Sequence, residues 1–120
     1  MYAKKQQTTD IPTMSDDKNN NSAKVILSRD GQVLGDFDLN KRNLMIGRRE
    51  DCDIRIDSKN VSRLHAQIFT VLDQAYVLDL DSKNGTFVNS RRVKKHLLSD
   101  GDVVTLGGHE LRYVFPEEED

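Results

Sequence analysis

Residues 103–115 run Val103-Val104-Thr105-Leu106, then Gly107-Gly108, then His109-Glu110-Leu111-Arg112-Tyr113-Val114-Phe115. Two short runs rich in β-branched and aromatic residues flank a Gly-Gly pair. This is the pattern of two strands joined by a two-residue hairpin turn. It recurs upstream. Lys24–Ser28 leads through a turn centred on Asp30-Gly31 to the alternating run Val33–Leu39. Asn43–Gly47 and Ile54–Ile56 are shorter strands. Ala66–Leu72 leads through a turn at Asp73-Gln74 to Ala75–Leu80, and Thr86–Val88 is brief. Nine or ten short strands separated by polar turns predict an all-β protein, a sandwich or a barrel. No window supports a helix of ordinary length, and Ser58–His65 has room for a turn or so. Trp is absent and aromatic residues make up 6%, so the core has to rest on Val, Ile and Leu.

The remaining composition divides the chain. Of its 120 residues 36% are apolar and 32% charged, a balance that predicts an ordered part beside a disordered one. Residues 1–23 read as a disordered N-terminal tail. Residues 24–115 have the size of a single small core, and 116–120 form an acidic C-terminal tail. The net charge of −2 resolves into a balanced N-terminal tail, −4 at the C-terminal end, and +2 in the core from 15 basic and 13 acidic residues. Bulk attraction to nucleic acid or to an anionic membrane is therefore not expected, and any anion site must be local. No stretch approaches a membrane span, and the N-terminus lacks the apolar segment of a secretory signal. Cys52, alone in the chain, points to a reducing compartment.

Three loops carry residues of little packing value and much hydrogen-bonding value: Gly47-Arg48-Arg49, Asn60–Ala66 and Asp81–Thr86. In a β-sandwich the loops cluster at the two ends. Gathered at one end, these three present cations, a hydroxyl and backbone N–H groups to a small dianion. Arginine offers a planar fork for phosphate and Ser62 one O–H. Asn84-Gly85 reads as a type I′ hairpin turn whose N–H groups can point at an oxyanion.

Gly47-Arg48, Ser62-Arg63-Leu64-His65-Ala66 and Ser82-Lys83-Asn84-Gly85-Thr86-Phe87-Val88-Asn89 together resemble, in order and spacing, the motif set of the forkhead-associated (FHA) domain family. The resemblance covers about residues 24–115. It implies a two-sheet antiparallel β-sandwich of about ten or eleven short strands that binds phosphothreonine peptides through loops at one end, a mode built on arginine clusters. Position by position, it implies that Arg48 pairs with the phosphate and Ser62 donates to a phosphate oxygen. Asn84 then bonds the peptide main chain. Arg63 is either a ligand contact or a structural ion-pair member, and Lys83 either a ligand contact or solvated surface. His65 braces the loops without touching phosphate, and Gly47, Gly85 and Asn89 shape loops. The loop around Ser58–Asn60 reads a residue a few positions after the phosphothreonine.

Other signals point to no chemistry. His65, His96, His109 and Cys52 match no zinc spacing, so no metal is expected, and no cofactor. Asp36, Asp38, Asp79 and Asp81 read as solvent-facing. No nucleophile lies beside a base, so no enzyme is expected. Arg91–His96 reads as a solvated basic hairpin rather than a nucleic-acid surface, having no interleaved aromatics. The reading is a cytoplasmic phosphothreonine-dependent binding module in Ser/Thr kinase signalling, without catalysis, whose partner is a Ser/Thr kinase substrate. The alternative is a phospho-independent assembly or scaffold protein that uses a sheet face of the sandwich. In the tail, Thr8 and Thr13 are candidate phosphorylation sites, followed three residues later by Ile11 and Asp16. Phosphorylated, the tail could dock on its own site or on that of a second copy.

Overall fold

The structure, a computed structural model, describes residues 23–115. The expected tails, residues 1–22 with Thr8 and Thr13 and residues 116–120, lie outside the described residues. Ala23, assigned to the tail by composition, belongs to the fold: it is buried and its carbonyl accepts from Leu39 N at 2.9 Å.

Eleven strands are present among the described residues, and no helix. They are β1 (Lys24–Arg29), β2 (Gln32–Asp38), β3 (Asn43–Gly47), β4 (Ile54–Arg55), β5 (Ala66–Val71), β6 (Gln74–Asp79), β7 (Thr86–Val88), β8 (Arg91–Val93), β9 (Lys95–Leu97), β10 (Val103–Leu106) and β11 (His109–Val114). They form a five-stranded sheet of order β9-β6-β5-β3-β4 and a six-stranded sheet of order β2-β1-β11-β10-β7-β8. Pairing is antiparallel except between β3 and β4. Alternation decides which residues go inside. Along β11, His109, Leu111 and Tyr113 are buried while Glu110 and Arg112 are exposed. Ile46, Ile68 and Val77 from one sheet meet Val25, Val88, Val104 and Leu111 from the other in one aliphatic core. Of the sandwich and the barrel that the strand pattern allows, the observed fold is the two-sheet sandwich that the resemblance implies.

The turns explain the hairpins. Asp30-Gly31, Asn89-Ser90 and Gly107-Gly108 each hold both central residues at positive φ, the type I′ geometry that matches strand twist. Three local readings need correction. Asn84-Gly85 is no type I′ hairpin turn: only Gly85 has positive φ, and β6 and β7, which flank it, lie in different sheets. The β5–β6 turn falls at Leu72-Asp73, one residue earlier than expected. The basic run is not a single hairpin. β8 edges the six-stranded sheet and β9 the five-stranded one, so the chain changes sheet at Lys94.

Register places the loops. Ile46 opposes Ala66, Ala66 opposes Asp79, and Leu106 opposes His109. The end of β3, the start of β5, the end of β6 and the β10–β11 turn therefore share one end of the sandwich. Lys24 opposes Val114 at the other end. The β10–β11 turn supports the first end by close approach: a Cβ on Gly107 would lie 2.5 Å from Val61 Cγ2 and 2.9 Å from Asn60 O, whereas one on Gly108 would meet nothing within 4 Å. Both glycines have positive φ. Gly108→Ala is expected to cost only the left-handed backbone strain, about 1–2 kcal/mol. Gly107→Ala should cost about 1–3 kcal/mol more, from overpacking. Urea unfolding of the two variants measures the difference, and equal costs would show that the Asn60-Val61 loop does not rest on this turn.

Candidate functional site

Gly47 ends β3 where the following loop crosses it. A Cβ there would lie 2.2 Å from Arg63 O, so only glycine lets the two segments touch. Arg48 N then donates to Ser62 O and Arg63 O, both at 3.1 Å. Arg48 Nε donates to Val61 O at 3.1 Å, and its own carbonyl accepts from Arg55 Nε at 3.0 Å. The guanidinium is thereby anchored through Nε, with both terminal Nη groups left for a ligand. Ser62 Oγ accepts from Lys83 N at 3.0 Å. A hydroxyl has one hydrogen to give, and that of Ser62 is left to point outward. Asn84 Nδ2 donates to Asn60 O at 2.9 Å. Its Oδ1 and second Nδ2 hydrogen are left as an acceptor and a donor, the pair a peptide main chain needs.

Beneath these groups lies a polar brace. His65 is wholly buried. Its Nδ1 accepts from Ser62 N at 3.0 Å, and its Nε2 lies 2.9 Å from Gly85 O. A carbonyl can only accept, so these partners dictate the neutral Nε2–H tautomer. Asp79, half-buried at the end of β6, accepts from Ser82 Oγ at 2.6 Å, Thr86 Oγ1 at 2.7 Å and Ser82 N at 3.2 Å. Burial alone would raise its pKa, but these bonds outweigh burial and hold it below the ordinary carboxyl value. Ser82 Oγ also accepts from Gly85 N at 2.9 Å.

The structure thus brings together Gly47, Arg48, Ser62, His65, Lys83, Asn84 and Gly85. Arg63 joins them through its carbonyl, and its exposed side chain lines an open cleft of about 580 Å³ with Arg48, Arg49, Arg55 and three carboxylates. Arg49 is paired there with Asp51 at 2.5 Å. Asn89 is not part of this end. It supports the opposite one, where its Nδ2 donates to Asp102 Oδ1 at 3.0 Å and its Oδ1 accepts from Val103 N at 3.0 Å. The backbone N–H groups expected to face an oxyanion are largely used internally, at Arg48, Lys83 and Gly85. Asp79 is not a solvent-facing carboxylate, and the Asp79, Ser82, Thr86 network went unread in the sequence. Its only signal is a carboxylate at a strand end followed by two small hydroxyl residues. Cys52 is buried with its Sγ 3.6 Å from Arg63 O, and burial pushes its thiol pKa up.

The family model described as FHA domain matches residues 44–107. The oxoglutarate dehydrogenase inhibitor of Corynebacterium jeikeium is 36% identical over 94 residues, which are 78% of this chain and 64% of that protein. A solved chain from a study of phosphothreonine-dependent FHA domain interactions superposes with a TM-score of 0.74 at 34% identity, covering 81% of this chain and 99% of that one. Mycobacterium tuberculosis EmbR, solved in complex with a low-affinity phosphopeptide, gives a TM-score of 0.73 at 31% identity over 82% of this chain and 26% of that one. The chain spans less than two-thirds of the length of the curated relatives it matches.

Two measurements check the brace. His65→Ala leaves Ser62 N–H and Gly85 C=O without partners, at about 1–3 kcal/mol each. Its urea midpoint should fall sharply, and ring ¹⁵N shifts of the unmutated protein should report the Nε2–H tautomer. Asp79 has a depressed folded-state pKa, so its stabilisation is complete above the unfolded value of 3.8 and is lost as pH falls through the folded value. The stability gap between the protein and Asp79→Asn should therefore be constant above about pH 5 and close in more acidic buffer. A gap that widens in acid would reverse the assignment.

Proposed function

The chain belongs to the FHA domain family, and we propose that it is a phosphothreonine-dependent peptide-binding module in Ser/Thr kinase signalling, without catalytic activity. One observation carries this reading. Arg48 is tied back through Nε to Val61 O, and Ser62 Oγ accepts from Lys83 N, which leaves its O–H to donate elsewhere. What remains is rich in donors: two Nη groups and one O–H. Such a set suits a dianion carrying about −1.5 to −2 at pH 7. Asn84 supplies the matching donor and acceptor for the peptide backbone, and Arg63 and Lys83 flank it as added cations. The donor set includes no nucleophile with a base beside it, which supports binding without turnover.

The partner is a protein carrying phosphothreonine, the product of a Ser/Thr kinase. The lone Cys52 thiol supports a cytoplasmic setting. The tail itself is a second candidate ligand. The domain begins at the end opposite the site, so the tail must span the sandwich. Thr13 lies 11 residues before Lys24, at most about 36–40 Å when stretched. Thr8 lies 16 residues before it, at most about 53–58 Å, with a relaxed span of about 20–24 Å. Phosphorylated Thr8 would dock in cis at some entropic cost, and Thr13 more easily on a second copy.

Titration with phosphothreonine, phosphoserine and unmodified versions of one peptide tests the reading. Binding should require the phosphate. Burying the γ-methyl, worth about 0.8 kcal/mol, should favour threonine severalfold. Arg48→Ala should weaken binding about ten- to 150-fold, the worth of a charge-assisted bond, with the fold retained and only a small fall in melting temperature from the lost bond to Val61 O. Ser62→Ala should lose less. Arg48→Lys should not restore affinity, because an ammonium cannot both bond Val61 O and offer a fork. Partner capture untouched by Arg48→Ala would transfer the function to a sheet face instead.

A further inference from the structure

The loop between β6 and β7 is built around a chemically labile pair. Asparagine is a thermolabile residue. It loses its amide fastest when glycine follows, because no side chain shields the next backbone nitrogen. This loop calls for both members of Asn84-Gly85. Asn84 is exposed and ties the loop to Asn60 O through Nδ2. Gly85 has a φ of +93°, and a Cβ on it would lie 2.8 Å from Arg92 Nε.

The hazard is a cyclisation. The Gly85 nitrogen gives up its proton and attacks Asn84 Cγ. The N–Cγ bond forms, the Cγ–Nδ2 bond breaks, and ammonia leaves with that proton. Water then opens the succinimide at either carbonyl, leaving aspartate or isoaspartate at position 84. A base must reach the Gly85 N–H, and the nitrogen must meet the carboxamide carbon. The structure opposes both events. Gly85 is buried, and its N donates to Ser82 Oγ at 2.9 Å. Ser82 is committed to that role, because its own hydrogen goes to Asp79 Oδ1 at 2.6 Å. Its oxygen is left to accept, and a neutral hydroxyl is too weak a base to take the proton. The carboxamide is held from the other side, Asn84 Nδ2 donating to Asn60 O at 2.9 Å. Nucleophile and electrophile are thus tied to different partners.

We propose that Asn84 is a latent deamidation site, kept closed by the hydrogen bonds from Asp79 through Ser82 to Gly85 and by the Asn60 carbonyl, and that its reaction switches the binding loop off. The consequence for binding rests on the phosphopeptide reading. A carboxylate at position 84 cannot donate to a peptide carbonyl, and it brings negative charge toward a dianion. The reaction consumes only water and is not reversed by reclosing, so local openings of the loop accumulate as lost binding capacity.

The test follows position 84 by mass spectrometry during incubation in warm, mildly alkaline buffer, with a short peptide of residues 81–87 as the unprotected reference. The folded protein should deamidate about ten- to a hundredfold more slowly than the peptide, the cost of breaking two hydrogen bonds to open the loop. Ser82→Ala should recover most of that difference. Hydrogen exchange of the Gly85 amide, which needs the same deprotonation, should quicken by a similar factor. Val25→Ala truncates the core at the opposite end of the sandwich and should leave both rates unchanged. Deamidated protein, separated by its added negative charge, should bind a phosphothreonine peptide at least about two- to tenfold more weakly, from the lost hydrogen bond alone. Deamidation at the peptide's rate, an unprotected Gly85 amide, or equal acceleration by Val25→Ala and Ser82→Ala overturns the protection. The first two are read on the unmutated protein, so they decide even where Ser82→Ala does not fold. Full affinity in the deamidated form overturns the switch. Failure of the unmutated protein to bind any phosphopeptide overturns the phosphothreonine reading and the switch with it, while the protection is judged by mass and exchange alone.

Discussion

The buried imidazole of His65 joins two segments that come from different sheets. One ring nitrogen takes the Ser62 N–H and the other holds the Gly85 carbonyl. Between these bonds the sandwich changes from its five-stranded to its six-stranded side, along the stretch from Asp79 to Thr86. Such a crossing leaves backbone groups without ladder partners, and each must be satisfied locally or cost free energy. Asp79, Ser82 and Thr86 do this on one side and His65 on the other. The outer groups can hold fixed positions because the inner ones have no freedom left.

Internal bonding also sets the polarity of what remains. A free serine hydroxyl can donate or accept, and a free arginine offers five N–H groups. Here one acceptor position of Ser62 and the Nε of Arg48 are already used. Internal bonding thus shifts the groups left over toward donors. The same logic explains why the backbone N–H groups of Lys83 and Gly85 do not line the site: they hold it together. Arg48 is half-buried beside the Val61–Arg63 carbonyls, where an ionic hydrogen bond is screened less than at the surface.

The strands were legible because period-2 alternation is a local property, and Val25, Leu111 and Tyr113 follow it residue by residue. The residues that the fold gathers at one end were legible as three short motifs, with Asn89 as the exception. The connections were harder. Asn84-Gly85 looks like a hairpin turn in isolation, and only the placement of β6 and β7 in separate sheets shows otherwise. Arg91–His96 reads as one polar loop because its two strands are short edges with exposed cations. Asp79 was misread as solvent-facing because its burial depends on hydroxyls three and seven residues away. Non-local satisfaction of a polar group leaves little trace in composition.

The two kinds of residue therefore vary under different constraints. His65, Asp79, Ser82, Thr86 and Gly47 are bonded or packed on several sides, and changing any of them damages loops that two sheets share. Lys83, Arg63 and Arg92 stand on the same frame but are exposed, so they can change with little cost to the fold. Both ends of the described domain leave from the far side, where Lys24 pairs with Val114. What adjoins them meets the binding loops only by crossing the length of a six-residue strand, about 20 Å. Distance separates the demands of attachment from those of recognition.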